Sequence, residues 1–202
     1  MQASIRVKLY MLASGLFEQP EASSSDFLFA VVSNLLRSTL TDWPYRNILE
    51  ALERDLVEDL DSVADLRAEH ERLFSGANGG LVSPYADFWL KGGALREGRE
   101  LMASHGMASF GGSPGYAGHL LAELEFMACL VADDGNTRDT QRHFVRRHLV
   151  RWLPRFAQEV LSEARLARYR LAAGLLLRLL AVEGELLKPA LPAVAVDVRQ
   201  AA

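Results

Sequence analysis

The chain has 202 residues, half of them apolar and 24% charged, with a formal net charge of −4 at pH 7. That length suits one domain with a sizeable core, and the composition is that of a globular chain, not a disordered one. The acidic balance gives no footprint for nucleic acid and leaves room for attraction to a basic peptide. The single cysteine, Cys129, excludes an internal disulfide framework. It lies in an apolar segment and is expected as a small buried core residue. Arg6 and Lys8 precede a short apolar run, Leu9 to Leu12, but Glu18 and Glu21 follow too soon for a leader. No stretch reaches the ~20 apolar residues of a membrane span. The expectation is a cytoplasmic protein without stable membrane insertion.

Helical periodicity is nearly continuous. Residues 5–18 read as a first helix, with Leu9, Leu12, Leu16 and Phe17 inward. Ser23 to Asp26 offer N-caps for a second, to about Ser38. Thr41 or Asp42 caps a third, with Pro44 in its first turn. Asp61 or Ser62 starts a fourth, which runs through Leu73 and Phe74 and stops near Gly76. Residues 76–84 read as a glycine-rich loop, followed at once by Tyr85, Phe88 and Trp89. A helix from about Gly93 to His105 comes next, then a second glycine-rich break over 106–118. The following helix reaches about Val131. Asp133 to Asn136 break the chain again, and Thr137 is placed to cap the helix that carries Phe144 and His148. Pro154 predicts a kink or a new helix. The last long helix spans about Leu166 to Leu187, and a tail at 189–202 is expected to be poorly ordered. The sum is an all-α fold: a single-domain helical bundle of about eight or nine helices over residues 1–188.

The richest segment is Gly118 to Ala128. Wound at 3.6 residues per turn, it sets Leu120, Leu124, Met127 and Val131 on one apolar stripe. About 100° round the axis lies a second stripe of His119, Glu123, Phe126 and Leu130. That mixture suits a surface that binds something. His119 and Glu123, four apart, can be a hydrogen-bonded pair, two metal ligands or an acid/base couple. Glu125 faces the other way and is expected to meet an arginine or a helix end. Tyr85, Phe88 and Trp89 either plug the bundle or line an apolar pocket, with Asp87 placed to meet an arginine. His143 and His148 share no metal spacing with His119 and are expected to pack. His70-Glu71 lacks the second histidine of a zinc helix, because Phe74 stands there. The glycines at 76–80 and 111–115 lack the Gly-Lys-Ser/Thr ending of a phosphate loop. No nucleophile with a base, metal set or cofactor loop is evident. The expectation is a protein that is not an enzyme and carries no cofactor and no metal.

Three segments together resemble a known family. They are His119-Leu120 with Glu123-Leu-Glu-Phe-Met-Ala128; Glu71-Arg-Leu-Phe-Ser-Gly76 with Ser83-Pro-Tyr85; and Phe144 to Phe156, which contains His148-Leu149 and Trp152-Leu-Pro154. In this order they are similar to the signatures of the TorD/DmsD family of cytoplasmic molybdoenzyme maturation chaperones, within the NarJ-like superfamily. The likeness extends through the flanking helices over nearly the whole chain. Two positions depart from the pattern: Gly118 stands where the family's Asp is usual, and Tyr116 where a Pro is.

The resemblance implies the same all-helical fold. It also implies a chaperone that binds the twin-arginine signal peptide or the apo form of a molybdopterin-containing oxidoreductase and assists cofactor insertion before export. The site it implies has an acidic rim of Asp87, Glu123 and Glu125, and an apolar floor of Phe88, Trp89, Phe126 and Leu130. Tyr85 belongs to the same loop, and His119 matches the histidine of the client-recognising region. On this reading Trp89→Ala and Glu123→Gln weaken client binding. Two alternatives stay open: a NarJ-like assembly chaperone for a nitrate-reductase-type enzyme, and a metal-binding helical enzyme built on His119 and Glu123. The partners expected are the apo-molybdoenzyme and its signal peptide, with no nucleic acid. The chain is either a monomer or a dimer that exchanges helices about the 106–118 connection.

Overall fold

Runs of leucine and alanine at helical spacing become helices wherever the computed structural model describes the chain, over residues 1–38, 43–58, 61–75, 80–107 and 118–188. In order they are α1 (Ala3–Phe17), α2 (Ser24–Ser38), α3 (Arg46–Glu58), α4 (Val63–His70), the single turn α5 (Ala86–Trp89), α6 (Gly93–Ser104), α7 (Leu120–Ala132), α8 (Asp134–Phe144), α9 (Val150–Glu163) and α10 (Ala167–Leu186). Two π-turns are inserted, Glu71–Ser75 after α4 and Val145–Leu149 between α8 and α9. Among the described residues the extended pairing is a lone antiparallel bridge between Tyr85 and His119. The all-helical expectation therefore holds.

Helix α7 lies in the middle of the bundle. Leu120, Ala122, Leu124, Phe126, Met127, Ala128, Leu130 and Val131 are all buried, so the helix is enclosed on most of its circumference. Helix α1 packs along it, and α10 packs on both α9 and α1. The stripe that α7 turns outward is Leu121, Glu125, Cys129 and Ala132. Cys129 is thus exposed, not a core residue as expected from its apolar neighbours. Both faces flanking its stripe pack inward, which leaves it on the one seam open to solvent.

Local signals explain most boundaries. Ser62 accepts the Asp65 N–H at 3.1 Å while Asp65 accepts the Ser62 N–H at 3.2 Å, a capping box that starts α4. The expected caps of α3, Thr41 and Asp42, lie outside the described residues. Helix α3 starts later than predicted, at Arg46, and Pro44 falls in the turn before it. Thr137 does not cap α8. It sits inside that helix, and its hydroxyl donates to the carbonyls of Leu130 and Asp133, which closes the end of α7. The break at 133–136 accordingly shrinks to Asp133 alone. The chain runs helically through Pro154; the irregularity is one turn earlier, in the π-turn. Pro154 is the fifth residue of α9 and lies inside the helix. The glycines at 76–79, most of the 106–118 connection and the tail at 189–202 lie outside the described residues.

Among the described residues, two ion pairs with both side chains almost fully buried cross the core. Arg6 of α1 grips Glu183 of α10 with both arms, at 2.8 and 2.6 Å, and also donates to the Gln141 side chain of α8 at 2.7 Å. The second pair, on α7, belongs with the site below. Because Leu124 is fully buried at the centre of α7, Leu124→Ala is expected to lower stability by about 2–5 kcal/mol. Urea unfolding followed by circular dichroism checks this.

Candidate client-binding pocket

The loop that follows the first π-turn is tied to the start of α7. The Leu81 and Val82 N–H groups bond to the carbonyls of Arg72 and Leu73 at 3.2 and 2.8 Å. The chain then pairs with residues 118–120: Ala86 N–H to Gly118 at 2.7 Å, and Leu120 N–H to Pro84 at 2.8 Å. Gly118 holds φ at +106°, a left-handed conformation that suits glycine and strains other residues. This pairing sets the Tyr85 ring edge-on to the His119 ring, with centroids 4.8 Å apart.

Beneath that pair is a cavity of about 270 Å³. Its walls are Phe17, Phe74, Phe156, His70, Tyr85 and His119, with Glu18 and Pro84 at the edge. Phe17 lies 5.4 Å from Phe156 and 6.0 Å from Phe74, and Phe74 stacks on Phe156 at 6.0 Å. All three signature segments therefore supply a wall: Phe74 with Pro84 and Tyr85, His119 with Leu120, and Phe156.

Both histidines are kept neutral. Burial, reinforced by the neighbouring His70, pushes His119 down to about 4. Its Nδ1 accepts the Leu121 N–H at 3.2 Å, so the neutral ring caps α7. Burial also lowers His70, although its bond to the Phe17 carbonyl at 3.2 Å opposes this. Glu125 stands half-buried next to the seam. Burial first, and then the charge of Glu18, raises its pKa. Glu18 lines the cavity, and Glu125, whose carboxyl its charge acts on, lies outside the lining residues.

The predicted residues fall into four groups. Tyr85 and His119 line the cavity. Asp87 and Phe88 sit on its exposed flank; Phe88 is 63% exposed, and Asp87 faces Arg99 across 3.5 Å at the surface. Trp89 is half-buried, donates its indole N–H to the Ser83 carbonyl at 2.9 Å and meets Phe156 edge-on. It supports the loop from behind. Glu123, Phe126 and Leu130 form no receiving surface, because all three are buried in the core. Their stripe faces inward because α7 is enclosed on that side as well.

Glu123 answers instead to α9. One carboxylate oxygen takes the His148 Nε2 at 2.6 Å, and the other accepts the Trp152 indole N–H at 3.0 Å. The His148 Nδ1 reaches the Ala94 carbonyl at 3.1 Å, so the ring donates from both nitrogens and is an imidazolium. Burial alone would lower the His148 pKa; the bond to Glu123, its charge and the Ala94 carbonyl outweigh burial and raise it. Gly98 makes room: a Cβ there would lie 2.3 Å from the His148 Nδ1. The metal or acid/base reading of His119 with Glu123 fails on this geometry, since Glu123 is committed to His148 and Trp152 and the His119 Nδ1 caps a helix. Among the described residues no three His, Cys, Asp or Glu side chains gather as a metal set.

Sequence reading missed Phe17, Glu18, His70, Phe74 and Phe156 as wall residues. Phe74 and Phe156 stand inside signature segments, so their type and place were visible; Phe17 was read only as an inward residue of the first helix and His70 only as part of an incomplete zinc motif.

Fold and pocket together define a known class. The model of the nitrate reductase delta subunit family matches residues 38–158, and the chain belongs to that family, the NarJ/TorD family. Among individual relatives, the chaperone protein TorD of Vibrio cholerae serotype O1 strain M66-2 is 26% identical over 193 residues, covering 85% of this chain and 87% of the relative. A TorD from the strain O395 of the same serotype is 27% identical over 146 residues, 65% of this chain and 66% of its own. A crystal structure described as that of a redox enzyme maturation protein from Archaeoglobus fulgidus shares the fold at 18% identity, with a TM-score of 0.51, covering 91% of this chain and 94% of that one. No helix among the described residues is long and apolar enough to cross a membrane.

The buried pair sets a pH dependence. A raised His148 pKa contributes stability that is full below its unfolded value of ~6.5 and is lost as pH rises through the folded value. Thermal melts from pH 6 upward are expected to show this decline, and Glu123→Gln is expected to flatten it while costing about 2 kcal/mol. Client binding by the refolded variant should match wild type, since Glu123 reaches no surface.

Proposed function

We propose that this protein is a maturation chaperone for a molybdopterin-containing oxidoreductase and that it holds the client's N-terminal signal at the aromatic cavity. The observation that carries this reading is the convergence of three separated signature segments on one cavity of about 270 Å³. A cavity of that size admits a large apolar side chain of an incoming segment. Phe17, Phe74 and Phe156 offer it a rigid floor, and the neutral His70 and His119 avoid repelling a cationic neighbour.

A twin-arginine signal presents both chemistries in sequence, two arginines and then an apolar run. Glu18 at the cavity and the half-buried Glu125 suit the arginines, because a guanidinium bonds a carboxylate with two arms. Phe88 and Leu81, exposed beside the cavity at 63% and 55%, suit the continuing apolar run. The chaperone then keeps the client's signal covered while the cofactor is inserted. It acts in the cytoplasm and performs no turnover of its own.

The family description favours a neighbouring reading, in which the client is a nitrate-reductase-type enzyme. The same cavity would then hold that enzyme's terminal segment. Identification of the captured enzyme by mass spectrometry after pull-down separates the two.

Calorimetry tests the site. A peptide with two arginines followed by an apolar run is expected to bind, and replacing both arginines by Gln to weaken it roughly tenfold. Tyr85→Ala and Glu18→Gln should each weaken the wild-type peptide with unchanged melting temperature. Equal affinity for both peptides removes Glu18 and Glu125 from the site.

A further inference from the structure

The chain is acidic overall, yet one face is strongly basic. A shallow groove of about 640 Å³ is lined by Asp139, Arg142, His143, Arg146, Arg147 and Arg151. On an uninterrupted α-helix Arg142 and Arg151 would point about 180° apart. The π-turn Val145–Leu149 takes up one extra residue and reduces that angle to roughly 80°. It thereby swings Arg147 and Arg151 to the side of Arg142 while sending His148 inward to Glu123.

Three of the four arginines of this groove make no ion pair among the described residues. Arg142 is committed, with Asp139 at its terminal nitrogen and its Nε on the Leu187 carbonyl at 2.9 Å. Arg146, Arg147 and Arg151 are exposed and make no ion pair among the described residues. Three uncompensated guanidiniums side by side repel one another, a cost that a bound anion reverses.

The geometry points to an acidic segment of a partner protein as the occupant: we propose that the Arg146–Arg147–Arg151 groove docks an extended run of Asp and Glu residues. Arg142 to Arg151 spans roughly 12–14 Å along the axis, the reach of about four extended residues. Guanidiniums spread over that length match successive carboxylates, each able to take a two-armed bond. A lone phosphate would need donors converging on one point, and the groove follows the unbroken run from α8 through the π-turn into α9, where backbone N–H groups are taken up by the helix. No Phe, Tyr or Trp lines it, so a nucleobase would find only His143 and guanidinium planes to stack on. The chain's own residues 189–202 hold one acid, Asp197, against one base, Arg199, and make a poor match. This proposal is independent of the aromatic cavity.

The test uses the full chain and a fluorescein-labelled peptide of six glutamates flanked by glycine and serine, titrated by anisotropy. Binding is expected at low salt, with weakening at high salt and none for the all-glutamine peptide. The triple variant Arg146→Gln/Arg147→Gln/Arg151→Gln should lose roughly tenfold or more in affinity. If the triple variant melts early, Arg147→Gln and Arg151→Gln singly, each at an exposed position, should weaken binding several-fold with an unchanged melt. Wild-type affinity in these variants overturns the proposal. So does pyrophosphate, or an oligonucleotide of equal charge, binding more tightly than the peptide. All three variants should still bind the twin-arginine peptide, so a failure here leaves the cavity reading standing, and the reverse.

Discussion

The Glu123 carboxylate ties three helices together. It leaves α7 and receives His148 from the π-turn and Trp152 from α9; through His148 it also reaches the Ala94 carbonyl on α6. A buried ion pair of this kind adds little net stability against an apolar core, because desolvation offsets most of the attraction. Its effect is on alternatives. Any shift of α7, α6 or α9 by one residue leaves a buried carboxylate or imidazolium without its partner, at a cost of several kcal/mol. The π-turn supplies the register that lets His148 arrive there, and Gly98 supplies the space.

Arg6 with Glu183 and Gln141 does the same across α1, α10 and α8. With α1 and α7 both fixed, the end of one and the start of the other are held at a set distance. That gap is where Phe17 and His119 face each other across the cavity. The cavity is thus a by-product of how two central helices are locked. Its walls need no contact with a client to keep their shape.

Helix type and order were readable because leucine spacing and capping residues are local signals. The start of α4 at Asp61 or Ser62 could be read almost to the residue, and so could the first helix. Facing directions were less legible. Periodicity on α7 showed two stripes but could not say that both pack inward, because burial depends on neighbours supplied by α1 and α9. Glu123, Phe126 and Leu130 were misplaced for that reason, and Cys129 for its converse. The π-turns have no local signature, so neither the inward turn of His148 nor the gathering of the arginines could be foreseen. Tyr85 and His119 were found through the family likeness, and their meeting required the bridge between 84–86 and 118–120.

Gly118 carries one more implication. The family resemblance implies an aspartate at this point of the signature, while here a glycine holds a positive φ. Space is not the obstacle, since a Cβ would sit 3.5 Å from the Arg99 guanidinium, an ordinary contact. The obstacle is torsional. Writing the signature's aspartate into this chain therefore asks the backbone leading into α7 to turn, and not only the side chain to change.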